Sequence, residues 1–324
     1  MALTYAELEA ITNDWDMANN GKAWDNYFNT SYFLTMFMKE QKGLWKRPSG
    51  GIHIKVPIKY DENDGGFFER ADALDSDDRE IVNVARFKRK HNYGNATVYW
   101  TDELDNSGEE AVVSMVTERM ENAQETARKW LASNVYNAVA DSSKYITGLR
   151  STTSETAGTP YGDIEEEDLV SEDGSKVWEG KTTTTTEAIS LSVMRTLVSS
   201  AKVYDGPMGK PKWGFTTETL MNVVKNILQP MQMLKENGGV TKAGFDNIVL
   251  DSTTYVADDY CPSGYLFVVN HNFLGFGIHK NAYFKRTPWQ PLPDNKQGRT
   301  MKRLWSGNII CNYRAAHAAH SNLS

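Results

Sequence analysis

Residues 106–140, NSGEEAVVSMVTERMENAQETARKWLASNVYNAVA, constrain the fold more than any other stretch of the chain. They open on a capping box: the Ser107 hydroxyl is placed to accept from the third amide of a new helix while Glu110 reaches back. Val112, Val116, Met120, Ala123, Ala127, Leu131, Val135 and Ala138 then recur in steps of three and four, the spacing of one helical face. Glu125 stands four residues before Lys129, a favourable pair on the opposite side. No proline or glycine interrupts the run after Gly108. At about 1.5 Å per residue the expected helix is roughly 50 Å long, far beyond the mean of about 11–12 residues. A rod of that length is a spine for the elements around it.

The chain has 324 residues, enough for two or three structural regions and a substantial core. A net charge of −7 and a pI near 5.5 argue against a dedicated nucleic-acid binder, whose affinity rests on clustered cations. They leave room for a protein that surrounds nucleic acid. With only Cys261 and Cys311, a disulfide framework is excluded and a reducing site of synthesis is expected. The opening residues, MALTYAELEAITNDWD, lack the basic start and apolar centre of a signal peptide. No run of about 18 apolar residues marks a membrane span. Asn29 and Asn95 head glycosylation triplets, which carry no weight without a secretion signal. Nine tryptophans and fifteen tyrosines suit cores and protein–protein contacts alike.

Residues 1–44 read as a helical, aromatic arm, with Thr4 or Thr12 as caps. Its segment WDNYFNTSYFLTMFM is too apolar to stay solvated, so it packs on its own domain or on a neighbouring subunit. Gly50-Gly51 ends the arm, and a period-two strand follows. Ile52, Ile54, Val56, Ile58 and Tyr60 point one way; His53, Lys55, Pro57 and Lys59 point the other. Pro57 cannot donate to a ladder, which suggests an edge position or a locally unpaired site. After the acidic, loop-like residues 61–80, a strand over 81–90 returns with Arg86, Lys88, Arg89 and Lys90. A two-stranded arm of this length is marginal alone in water and needs another surface. Its basic strand suggests electrostatic docking on an acidic body. Residues 92–104 give a short strand and a turn into the spine.

Beyond the spine, residues 151–180 read as a polar loop, and Glu165, Glu166, Glu167 and Asp168 as solvated acids rather than a metal site. A helix over 187–202 is expected, capped by Thr186 and stopped near Gly206-Pro207. A strand starts at Trp213, and Thr217 caps a helix over 218–235 that breaks near Pro230. Strands follow over 245–251, 253–258, 265–269, 274–279 and 284–289. A final strand over 300–314 has the length to run beside the spine. Mixed elements in this order predict an α+β fold with a central sheet.

The search for chemistry returns little. His53, His91, His271, His279, His317 and His320 form no metalloprotease pattern, and His317 and His320 lie three apart near a terminus read as frayed. The glycines around Lys210 lack phosphate-loop spacing, and Gly275-Phe-Gly lies inside a strand. There is no G-x-S-x-G elbow, and Cys261 and Cys311 read as packing residues. Paired carboxylates for glycoside hydrolysis leave no sequence signature to find. No residue is assigned a catalytic, cofactor-binding or metal-binding role, and no cofactor is expected. Lys55, Lys59, Lys88 and Lys90 stand where an arm lysine could weld to an asparagine of a neighbouring subunit, but ordinary noncovalent contact is the expectation.

Three stretches, residues 106–137, CPSGYLFVVNHNFLGFGIH (261–279) and LWSGNIICNYRAAHAA (304–319), with TPWQPLPDNKQGR upstream of the last, together resemble tailed-bacteriophage major capsid proteins. The resemblance lies in their order across nearly the whole chain and not in a chemical motif. It implies the Hong Kong 97-like coat fold: an N-terminal arm (1–44), an extended β-hairpin loop (45–100), a peripheral domain (101–150 with 273–313) and an axial domain (151–272 with 314–324). It also implies a non-enzymatic subunit made in the bacterial cytoplasm. That subunit self-assembles into hexamers and pentamers of an icosahedral virion head around double-stranded DNA. Scaffolding, portal and decoration proteins are the further partners, with no membrane. The arm is too short for a fused scaffolding segment of the kind some relatives carry, which implies separate scaffolding or earlier processing. The alternatives are an encapsulin-like shell carrying cargo and, more remotely, a carbohydrate-active enzyme or other hydrolase.

Overall fold

A computed structural model describes residues 31–39, 42–62, 66–70, 80–105, 109–154, 160–171, 174–203, 208–228, 247–293 and 296–324. Helix α1 (Tyr32–Leu34) runs on as a π-helical turn, Thr35–Lys39. Strands β1 (Leu44–Lys46), β2 (His53–Lys59), β3 (Val82–Lys88) and β4 (Lys90–Tyr99) follow, then helices α2 (Trp100–Asp105), α3 (Glu109–Asn134) and α4 (Leu149–Thr153). Next come β5 (Lys181–Thr183), α5 (Leu191–Ser200), β6 (Trp213–Thr216) and α6 (Glu218–Leu228). Strands β7 (Asn247–Leu250), β8 (Thr253–Ala257), β9 (Leu266–Val269) and β10 (Leu274–Ile278) lead to β11 (Lys285–Arg286) and β12 (Gln290–Pro291). The long β13 (Gly298–Cys311) and the short β14 (Ala318–His320) close the chain.

The spine, α3, is 26 residues long, about 39 Å at the helical rise. It stops at Asn134 although the apolar period runs on. The Ser133 hydroxyl (3.1 Å) and the Asn134 amide (2.7 Å) both donate to Trp130 O, drawing off a terminal carbonyl. Val135 O then accepts from Leu149 N instead of continuing the helix. Val116, Met120, Ala123, Ala127, Leu131 and Val135 are buried as the stripe requires, but Ala138, past the end, is exposed. The Ser107 cap lies outside the described residues, and nothing is described of the Val112 side chain.

The stripe lies on β4. The two backbones are so close that a Cβ on Gly94 would sit 1.8 Å from Ala123 O, so no other residue fits there. Asn92 Nδ2 donates to Ala127 O across the same contact. β4 runs ten residues, not the short strand expected, and pairs along its whole length with β13 from Lys90↔Gly307 to Tyr99↔Gly298. β1, β10, β11 and β12 complete this sheet around β13. The second sheet runs β5-β14-β9-β6-β8-β7, with α5 and α6 packed against it.

Between the two sheets sits the described part of the arm. Phe33 meets Phe276 of the first sheet (6.2 Å between ring centres), Phe215 of the second (5.4 Å) and Tyr136 at the end of the spine (6.2 Å). Asp258 fixes it, accepting from Ser31 Oγ (2.9 Å) and Phe33 N (3.3 Å). Residues 31–38 therefore pack within their own chain; residues 1–30, with Thr4 and Thr12, lie outside the described residues.

Three local expectations are corrected. Helix α5 starts after Ser190, whose hydroxyl accepts from Val193 N (3.3 Å), and not at Thr186. Residues 187–189 are drawn instead into backbone bonds with Ser324. The chain end is not frayed: β14 lies between β5 and β9, with His317 and His320 buried. The described residues of 160–180 are not a solvated loop, since Tyr161, Ile164, Leu169, Val177 and Trp178 are core. Thr217 does cap α6, accepting from Leu220 N (3.5 Å); residues 229–246, with Pro230, lie outside the described residues.

Candidate assembly surfaces

The hairpin of β2 and β3 is two-faced. Ile54, Val56, Ile58, Ala85 and Phe87 are buried; His53, Lys55, Lys59, Arg86 and Lys88 are exposed. Ile52 and Tyr60, expected on the buried face, fall at the strand's two ends and are exposed and half-buried. The apolar face rests on its own chain. Phe87 packs edge-on against Tyr161 (5.2 Å), and Arg86 N donates to Gly162 O (2.8 Å). Beyond this seat, Phe67 and Phe68 are exposed, and among the described residues nothing packs around Phe67, which is 111% accessible. Two adjacent solvent-facing aromatic rings are costly to keep wet unless another surface covers them.

Of the four lysines, Lys55, Lys59 and Lys88 are exposed. Lys90 is not a candidate for joining a neighbour. It is buried, and its ammonium donates to the carbonyls of Asp141 and Ser143. Burial pulls its pKa down, opposed by the Asp141 carboxylate.

Beneath the hairpin the chain crosses from the first sheet to the second at Arg314, which is 1% exposed. Its guanidinium donates to Glu166 Oε1 (2.7 Å), Thr152 O (2.7 Å), Trp178 O (3.1 Å), Ser151 O (3.3 Å) and Ser154 O, and lies over the Tyr161 ring (5.2 Å). Glu166 thus departs from the expectation of four solvated acids; Glu165, Glu167 and Asp168 are exposed as expected. One cation binds α4, the 161–178 segment and the closing strands together. Sequence reasoning passed over Arg314, although a lone arginine inside the apolar run IICNYRAAHAA signals a buried, fully bonded cation.

His53 and His91 are exposed and His271 and His279 half-buried, whereas Cys261, Cys311, His317 and His320 are built into the core. Cys261 and Cys311 are free, buried thiols; burial pushes Cys311 up to about 12, away from thiolate reactivity. His317 Nδ1 accepts from Asn270 N (3.2 Å), and burial pulls the imidazole down to about 3. His320 Nε2 meets Glu187 Oε1 (2.7 Å), and its Nδ1 meets Ser321 O (2.7 Å). Among the described residues, no three His, Cys, Asp or Glu side chains group as metal ligands, and no helix is long and apolar enough to cross a membrane.

No protein-family model and no curated protein sequence matches the chain. Its backbone, however, is similar to solved shell proteins. A capsid asymmetric unit of cyanophage A-1(L) superposes with a TM-score of 0.64 at 12% identity, covering 90% of this chain and 93% of the other. The capsid of a native GTA particle gives 0.57 at 11% identity, covering 88% and 89%. The SrpI encapsulin of Synechococcus elongatus gives 0.52 at 9% identity, covering 88% and 87%. With so little sequence shared, the likeness is one of backbone path. The chain has the mixed α+β, Hong Kong 97-like fold of tailed-phage capsid proteins.

Proposed function

We propose that the chain is the repeating, non-enzymatic subunit of a closed phage head, built from hexamers and pentamers around double-stranded DNA. One observation carries the reading: the likeness to a phage capsid subunit spans nine-tenths of both chains, so the whole architecture is shared, not one module. The geometry supports it. A rigid spine-and-sheet body carries a hairpin seated at its base and bare at its aromatic tip. Repeated heterologous contacts close into shells when their rotation closes, and many weak contacts acting together make such a shell persist. The division into arm (1–44), extended loop (45–100), peripheral domain (101–150 with 273–313) and axial domain (151–272 with 314–324) belongs to the same proposal. So do a virion location, contact with scaffolding, portal and decoration proteins, and non-specific contact with packaged DNA. The net charge of −7 suits a container that does not grip its contents.

A second reading, a cargo-carrying compartment, is favoured by the likeness to the encapsulin. Purified particles separate the two. The phage-head reading expects fast-sedimenting particles that package DNA when portal and packaging proteins are supplied. Particles that instead enclose a companion enzyme would favour the compartment. A hydrolase is the remote alternative. Turnover on a glycoside or ester panel, abolished by one carboxylate or serine substitution, would establish it.

A further inference from the structure

The outer side of β4 has no strand beside it among the described residues. Its ladder to β13 fixes which backbone groups face that open side. Trp100 N donates to Gln297 O (3.3 Å), the next step of the same register, so the even-numbered residues of β4 exchange bonds with β13. The N–H and C=O groups of His91, Tyr93, Asn95 and Thr97 therefore point outward.

Along that edge runs a groove of about 460 Å³. Leu131 and Ile146 are its buried floor, and Trp130 (57% exposed) and Tyr93 (61% exposed) stand over it. The Lys144 ammonium stacks on Tyr145 at one end. Lys144 and His91 bring basic side chains to the lining, and no carboxylate is among the lining residues. An unpaired strand edge beside aromatic side chains is the equipment of strand addition: backbone bonds supply affinity, and pockets select alternate side chains.

The outer edge of β2 shows the opposite treatment. There Tyr60 N donates to Ile81 O and Arg89 N to Ile52 O, so the odd-numbered residues of β2 face outward. Pro57 removes one outward donor, Lys46 Nζ occupies Lys55 O (3.1 Å), and Lys55 and Lys59 charge the strand. These are the devices that keep strands from adding. β4 has neither proline nor lysine at its outward positions. β2 of another copy is a poor occupant, interrupted by Pro57 and of like charge. Two β4 edges would set the same cationic grooves face to face.

We propose that the open β4 edge seats an extended, acidic segment of a different protein, its carboxylates toward His91 and Lys144 and its large apolar side chains on Trp130 and Tyr93. The test uses the purified full chain and a fluorescent ten-residue peptide alternating glutamate with tyrosine. A lysine–tyrosine peptide and a peptide copying residues 61–80 serve as comparisons. Saturable binding of the acidic probe is expected, weakened tenfold or more by Lys144→Glu and by Asn95→Pro. The proline removes an outward N–H and leaves the backbone bonds to β13, at the loss of the bond that Thr300 Oγ1 donates to Asn95 Oδ1 (2.7 Å). Asn95→Ala, which loses that bond and keeps the N–H, is the control and should bind like the unaltered chain. Should Asn95→Pro fail to fold, Lys144→Glu, at an exposed position, still decides. Absence of saturable binding, equal binding of the lysine probe, or full binding by Lys144→Glu would overturn the proposal. Tighter binding of the 61–80 peptide would overturn it too, assigning the groove to the hairpin of a second copy. Binding is read on the chain itself, so the outcome is independent of whether it forms shells.

Discussion

The spine and the hairpin each carry a regular apolar stripe, and they differ in how it is covered. The stripe of α3 is closed over by β4 at backbone contact around Gly94, with Met120, Ala127 and Leu131 at 1% exposure or less. The stripe of β2 and β3 is closed at its base by Tyr161 and its neighbours, while Phe67 and Phe68 beyond it are uncovered. Two regions with equally clean patterns thus have different duties. One is closed within the chain, and the other leaves accessible the apolar surface that the proposed shell contact would cover.

Substitutions should separate those duties, beginning with the most damaging. Replacing Met120 or Leu131 by Asp puts a charge with no partner into the spine contact, at a cost of several kcal/mol or more. No cooperative thermal unfolding should remain in circular dichroism; a normal melt would show that the stripe is not buried. Next comes the crossing under the hairpin. Arg314→Ala strands Glu166 in the core and should cost about 3–5 kcal/mol in urea unfolding, whereas a loss below about 0.5 kcal/mol, typical of surface sites, would mean that the crossing holds nothing together.

Acid should act on the second sheet through His317. Its folded imidazole titrates near 3 and its unfolded one near 6.5, so below 6.5 the unfolded chain binds the extra proton. The stabilisation is complete above that pH and falls by roughly 1.4 kcal/mol per unit down to the folded value. Asp141 and Asp258, pushed up by burial, act in the opposite sense. The informative quantity is therefore the difference from His317→Gln, whose unfolding free energy should lose that slope between pH 6 and pH 4 (roughly, by the same linkage). Parallel curves would remove His317 from the account.

Smallest in stability, and largest in consequence for assembly, is the hairpin tip. Deleting residues 67–78, or replacing Phe67 and Phe68 by Ser, should leave the melting temperature unchanged and sharply reduce the yield of particles in sedimentation. Normal particle yield would show that the tip is not a contact.

Much of this architecture was legible before any coordinates. The spacing from Val116 to Leu131 gave the spine, and the alternation from Ile54 to Ile58 gave the hairpin face, because both patterns record a buried side. Pro57 pointed to an edge or a locally unpaired site, because it has no donor for a ladder, and the pairing of β2 with β3 alone makes it an edge. What stayed hidden was pairing between distant segments. Nothing near Glu166 announces Arg314, almost 150 residues on, so the acid looked solvated. Nothing near His320 announces β5 and β9, so the chain end looked frayed. The end of the spine was misplaced for a local reason instead: Ser133 and Asn134 bond back to Trp130 O while the apolar period continues past them.

Electron microscopy of the purified full-length chain tests the central claim most directly. The account predicts closed particles, or rings of five and six subunits with the spine in their walls. Dispersed single subunits at every concentration, with scaffolding supplied, would contradict it.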